Sequence, residues 1–457
     1  MSVPSTPNSS PSRTPFVFGI VLGAFFVSGA CGLIHEVAWT RLLRLIMGNG
    51  TFSTTTVLCV FMGGLALGSY LSGRFIDRRH DLLRIFALFE GIIGVYCFLL
   101  PWLINGAEPL YRVIYQNTHT SFYLFSLIRF VFSGLILFIP AIFMGATLPV
   151  LTRFLTRSPA RMGRSVGTLY AVNTFGAVLG ASVSGFFLIP ALGVTKTIYL
   201  ASVFNLLVAV TAFWLYRRTP NEEDKSPLVE PSPDSGAQRK ARTKDRKTAV
   251  APLVPLDYGK GALGTLLWGY AFAGFAALVY EIAWFRALSL LIGSTVYAFS
   301  LMLTAFVLGI AVGSMIYSRF ADRVRDPMCT LAIIQVGIGL SALLVVPFIG
   351  VMPFFVTGLI ARYIDSFWAL QLAEFALCMG VMLIPTTLMG AAFPLVNRLY
   401  NQQSAAVGRT VGTVYGANTV GNISGAFIGG FILIPFLGIQ KTLLIAVAAN
   451  ILVGCIF

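Results

Sequence analysis

The chain has 457 residues, of which 57% are hydrophobic and only 11% charged, with a formal net charge of +15. A soluble protein carries about 25% charged residues, whereas here apolar runs of about 20 residues, enough to cross a bilayer core of about 30 Å, recur along almost the whole length. Composition therefore excludes a soluble globular chain, and the absence of short stretches of alternating polarity excludes a β-barrel.

The opening "MSVPSTPNSSPS" is polar, and residues 1–15 are expected to form a disordered cytoplasmic tail, not a cleavable signal. Six apolar segments follow, at about 16–47, 51–73, 83–105, 121–151, 164–190 and 194–216. Residues 218–260, rich in Pro, Ser, Lys, Asp and Glu, read as a disordered cytoplasmic linker. Its "QRKARTKDRK" run can meet anionic headgroups but reads first as a solvated tether.

The second half, 261–457, repeats the first (16–217) at an offset of 245 residues. Glu36 maps to Glu281, Trp39 to Trp284, Arg41 to Arg286, and Gly68 to Gly313. From Gly163 to Thr197, 20 of 35 positions are identical to Gly408–Thr442, individual Asn, Tyr, Pro and Lys residues included, so the match is duplication and not shared hydrophobicity. The fold expected is an all-α polytopic membrane protein of about 12 transmembrane helices in two six-helix repeats. An even number of crossings makes the repeats parallel, related by an axis along the membrane normal.

Arg74, Arg78, Arg79 and Arg84, then Arg153, Arg157, Arg161 and Arg164, then Arg217 and Arg218, mark loops on one side. The positive-inside rule makes that side cytoplasmic, together with the N-terminus. The charge thus reads as topology, and no nucleic-acid partner is expected. The six cysteines lie in or beside apolar segments without ligand spacing, and His35, His80 and His119 are scattered. No metal, cofactor or catalytic set is expected.

Charge inside the apolar segments is rare enough to be informative. "HEVAWTR" (His35–Arg41) and "YEIAWFR" (Tyr280–Arg286) place a Glu, a Trp and an Arg near the outer end of the first helix of each repeat. One reading is structural: Glu36 and Glu281 pair with Arg41, Arg286 or Arg129, and the tryptophans anchor at the interface. The other is a carboxylate at the mouth of a central cavity. Arg129 maps to Glu374, a reversal of charge that permits pairing across the pseudo-twofold axis.

The fifth segments carry Asn173 and Asn418 about 15 Å from their cytoplasmic start, with Tyr170 and Tyr415 one turn earlier. These residues either bond between helices or line a polar midplane site for a cation. Glu90 and Glu374, each an acid without an acidic repeat-mate, could draw a cation to that site from the inner and outer sides. Gly176, Gly180 and Ser184, and Gly421, Gly425 and Gly429, form small-residue stripes for close helix packing.

The stretches "SGACGLIHEVAWTRLL", "FMGGLALGSYLSGRFIDRR", "PAIFMGATLPVLTR" and "GRSVGTLYAVNTFGAVLGASVSGFFLIPALG", with their second copies, resemble the membrane portion of bacterial fused major-facilitator/spermidine-synthase proteins. The resemblance covers nearly everything except the tail and the linker. It implies a cytoplasmic loop latch at Asp77 and Arg78, and at Asp322 and Arg323, with a departure at Ser318 where glycine is expected. Family members often carry a cytoplasmic domain that transfers an aminopropyl group from decarboxylated S-adenosylmethionine to a diamine. That domain's glycine-rich loop and acidic residues have no counterpart here, and Phe457 maps to Ala212, inside the last helix, so the chain is expected to be a fragment.

The resemblance thus implies a membrane domain that moves or presents polyamine or a related small cationic metabolite. Its partners would be the lipid bilayer and a cytoplasmic transferase domain, fused or separate. The alternative is a structural anchor or partner-binding module with a relict transporter fold.

Overall fold

A computed structural model describes residues 14–47, 51–117, 122–156, 162–218, 260–293, 295–401 and 406–457. Nearly all of the expected tail and linker lies outside these. The first repeat holds α1 (Thr14–Met47), α2 (Thr51–Ile76), α3 (Leu82–Asn117), α4 (Phe122–Leu155), α5 (Met162–Val183) and α6 (Val194–Arg218). The second holds α7 (Lys260–Ile292), α8 (Val296–Ser318), α9 (Pro327–Tyr363), α10 (Phe367–Asn401), α11 (Val407–Ile428) and α12 (Ile434–Ile456).

Local chemistry sets several of these boundaries. Asp326 accepts from the backbone N–H of Met328 (3.1 Å) and Cys329 (3.0 Å) and is followed by Pro327, a strong start for α9. Thr295 caps α8 by accepting from Ala298 N–H at 3.1 Å. α5 and α11 each run into a π-helical turn, Ser184–Leu188 and Gly429–Leu433, and the chain then reverses at Gly193 (φ 79°) or Gly438 (φ 77°). Only glycine adopts that backbone readily.

Among the described residues eleven helices are long and apolar enough to cross a membrane, and the last, Val407–Ile456, has 50 residues. At 1.5 Å per residue it would extend about 75 Å, more than twice a bilayer core. The reversal at Gly438 divides it, giving twelve crossings.

Within the first half α1 packs on α5, α2 on α4 and α3 on α6; in the second, α7 on α11, α8 on α10 and α9 on α12. The stripes explain the first of these pairings. A Cβ on Gly176 or Gly180 would strike the carbonyls of Phe26 and Ala30, and one on Gly421 or Gly425 those of Ala271 and Phe275.

The halves meet along α2 with α11 and α5 with α8. At the basic face, where α2 ends and α11 begins, Ser314 Oγ donates to Gly167 O at 3.1 Å and Gly412 lies against Ser69 O. About one turn before the opposite face, the Ser182 and Thr304 hydroxyls bond at 3.0 Å. At the opposite face Gly185 lies against Ser300 and Gly430 against Thr55, both glycines within the π-helical turns. The halves therefore touch at both ends.

Asp77 reinforces the basic face. Its two carboxylate oxygens accept the N–H groups of Gly408 and Arg409, at 2.8 Å each, at the start of α11, and Arg153 Nε stands 3.8 Å away. Arg78 and Arg323 are exposed, and the Asp322 side chain lies outside the described ones. Arg398, the counterpart of Arg153, instead donates to the carbonyls of Ala321 and Val324. Ser318 stands where Gly73 stands in the first half, and it packs on Gly167.

Candidate functional site

Between the halves lies a cavity lined by both glutamates of the repeated motif, Glu36 from α1 and Glu281 from α7. Thr40 and Thr55 supply hydroxyls. The remaining wall is apolar: Leu58, Ile282, Phe285, Phe299, Met302, Leu303, Phe306 and Met382. Glu36 is 5% exposed, Glu281 is half-buried, and the two lie close enough to interact electrostatically.

Among the described residues neither glutamate forms an ion pair; the pairs there join Arg84 to Asp81 and Arg153 to Asp77. This corrects the expected pairing with Arg41 and Arg286. Five residues along an α-helix turn about 500°, which sets the second side chain about 140° around from the first. The glutamate faces the cavity and the arginine another side. The Arg129 side chain, the third expected partner, lies outside the described ones.

The tryptophans also depart from expectation. Trp39 and Trp284 are 0% exposed, enclosed in protein and not set at an interface. Trp39 stacks on His35 (5.3 Å between ring centroids) and Trp284 on Tyr280 (5.1 Å).

The amides of the fifth helices are engaged elsewhere. Asn173 Nδ2 donates to Phe25 O at 3.1 Å, and Asn418 Nδ2 to Tyr270 O at 3.2 Å, so each ties its helix to the first helix of the same half. Neither lines the cavity. Of the two readings of these residues, the geometry is that of interhelical bonding. Tyr170 and Tyr415 grip Phe393 from the two halves, with ring centroids 4.5 and 6.0 Å away.

Glu374 is buried and accepts from Gln371 Nε2 at 3.0 Å on its own helix. Glu90 is enclosed within the first half, accepting from Ser28 on α1 and Asn205 on α6. Sequence reasoning singled out Glu90 but missed both of its partners. The signal available was the repeat itself, since Glu90 and Asn205 map to Gln335 and Asn450.

Among the described residues no group of three or more His, Cys, Asp or Glu is placed to hold a metal. The site is therefore a pair of carboxylates, one from each half, set across an apolar chamber. Chemically it can hold positive charge at two points and hydrocarbon between them.

No family model matches the chain. It is 26% identical over 221 residues to polyamine aminopropyltransferase 1 of Streptomyces coelicolor, covering 46% of this chain and 36% of that protein. It is 27% identical over 191 residues to the polyamine aminopropyltransferase of Oceanobacillus iheyensis, covering 41% and 34%. The chain thus spans about a third of the length of these relatives.

Among solved structures, a bacterial homologue of the iron transporter ferroportin in an outward-facing state aligns over 96% of this chain and 98% of its own, with a TM-score of 0.57 and 13% identity. The human organic anion transporter MFSD10 aligns over 98% and 100%, with a TM-score of 0.55 and 14% identity. The fold is that of the major facilitator transporters.

Proposed function

We propose that the chain is the membrane domain of a polyamine-handling system and that the chamber between its halves takes an aliphatic diamine or polyamine. The observation that carries this is the pair Glu36 and Glu281, equivalent in the repeat, lining one cavity, and without an ion-pair partner among the described residues. A carboxylate in a membrane interior costs about 2.5–3.5 kcal/mol on insertion scales. Leucine would pack there at lower cost, so a cation that enters to neutralise the pair explains both residues.

A dication bridging two acids would lay its methylenes against Leu58, Ile282, Met302 and Leu303, with Phe285, Phe299 and Phe306 offering ring faces for cation–π contact. The similarity to polyamine aminopropyltransferases supports the substrate class. The excess of arginine on the basic face supports a cytoplasmic N-terminus in the bacterial inner membrane. A transferase domain, fused or separate, would then receive substrate on the side that Asp77 closes.

Binding and uptake of labelled putrescine and spermidine in proteoliposomes test the reading. The parent protein should bind saturably, and Glu36→Gln with Glu281→Gln should weaken binding by at least about tenfold, the loss of one charge-assisted contact or more. Undiminished binding by the folded double variant would exclude the chamber. No binding by the folded parent would favour the anchor reading instead.

A further inference from the structure

The interior of the first half holds a second polar cluster, walled off from the chamber. Glu90 on α3 is 0% exposed; Ser28 Oγ donates to its Oε1 at 2.5 Å and Asn205 Nδ2 to its Oε2 at 2.8 Å. Because the Asn205 amide nitrogen donates to Glu90, its oxygen must accept, and His35 Nε2 lies 3.2 Å from that oxygen. His35 is therefore protonated on Nε2. Its Nδ1, fully buried, has no hydrogen-bond partner among the described residues. The network has two places for one proton: the Glu90 carboxyl and the bare Nδ1.

The second half supplies a control within the same molecule. Asn450 Nδ2 donates to Gln335 Oε1 at 3.0 Å, so the same pair of helices is joined at the same place by neutral amides. Ser28, Cys31, His35, Glu90 and Cys97 map to Ala273, Ala276, Tyr280, Gln335 and Ala342, and only the asparagine is common to both. Packing of the fold therefore does not require a carboxyl or an imidazole here. The first half keeps both, where each costs desolvation.

Among the described residues Glu90 has no cation partner. From α1 the facing titratable groups are Cys31 and His35, and from α3 itself Cys97. On α6 the charged residues Lys196, Arg217 and Arg218 lie nine or more residues from Asn205, at least about 13 Å along the helix. On α4, Arg153 is engaged at Asp77, and the Arg129 side chain lies outside the described ones.

We propose that this cluster is a proton-binding site of the first half, in which Glu90 takes the proton, Ser28 and Asn205 hold the carboxyl, and His35 sets its affinity. It stands independently of what the chamber binds. Because Glu90 is sealed among α1, α3 and α6, a proton enters or leaves only when these helices part, so occupancy is linked to the position of α1. That helix carries His35 towards the cluster and the adjacent Glu36 towards the chamber.

Infrared difference spectroscopy of the full chain in lipid, titrated with pH, reads the carbonyl stretch of protonated carboxylic acids. The parent should show a titrating band that is lost in Glu90→Gln, the substitution that copies Gln335. His35→Tyr, which copies Tyr280, should keep the band and move its midpoint by about one pH unit or more, the size shown by coupled neighbours. Identical difference spectra for parent and Glu90→Gln at every pH would overturn the proposal. So would an unmoved midpoint in His35→Tyr, or loss of the parent's band on adding sodium at fixed pH, which would mark a metal-cation site instead.

Discussion

Asn205 and Asn450 occupy the same place in the two halves and make the same bond, from α6 to α3 and from α12 to α9, yet one meets a glutamate and the other a glutamine. Around the first are serine, histidine and two cysteines; around the second, alanines and a tyrosine. The chamber shows the reverse pattern, with both copies of the glutamate kept and facing one space. The difference separates what the shared backbone needs from what one half adds. An amide bond between helices serves the fold, paired carboxylates belong to the chamber common to both halves, and a carboxyl beside an imidazole is a property of the first half alone.

The largest effect should fall on what the halves share. Gly176→Val and Gly421→Val each drive a side chain into a carbonyl of the neighbouring helix, an overpacking that costs about 1–3 kcal/mol or more. Both should strongly reduce the folded fraction on size-exclusion chromatography, and to a similar degree. A large effect in one half only would break the equivalence of the two bundles.

A middle-sized effect distinguishes packing from proton binding. Glu90→Leu strands Ser28 and Asn205, and Gln335→Leu strands Asn450, each at about 1–3 kcal/mol. Thermal melts in nanodiscs should show both losses, whereas Glu90→Gln should stay close to the parent. A collapse of Glu90→Gln comparable with Glu90→Leu would mean that the carboxyl is structural after all.

The smallest effect lies at the basic face. Asp77→Ala removes two acceptors from the start of α11 and should cost about 0.5–2 kcal/mol, as loss of a helix cap does. Arg78→Ala, at an exposed position, should stay within about 0.5 kcal/mol in the same melts. Equal losses would remove Asp77 as the member of the motif that holds the halves together.

Much of this architecture could be read before any coordinates. Duplication at a fixed offset, the spacing of apolar segments and the placement of arginines specify twelve crossings in two parallel bundles, and the glycine stripes mark the fifth helices as closely packed, without naming their partners. The direction in which each polar side chain points was harder to read. Depth along a helix follows from counting residues, but azimuth depends on the neighbours, so Glu36 was assigned an ion-pair partner on another side of its own helix, whereas it lines the cavity. Trp39 at the same level stacks on His35 inside the protein, because burial between helices outweighs the interfacial preference of an exposed ring. The proton cluster was half visible. Comparing every titratable residue with its repeat-mate, as was done for Arg129 and Glu374, also singles out His35, Glu90 and both cysteines.

The most direct test of the chamber is a comparison of ligands on purified protein in nanodiscs: putrescine against butylamine, which has the same four-carbon chain and one ammonium. Two carboxylates facing one space predict that the diamine binds at least about tenfold more tightly, since each charge-assisted contact contributes about 1.5–3 kcal/mol. They also predict that Glu281→Gln brings putrescine close to the affinity of the monoamine. Equal affinity of the parent for the two amines would contradict the account.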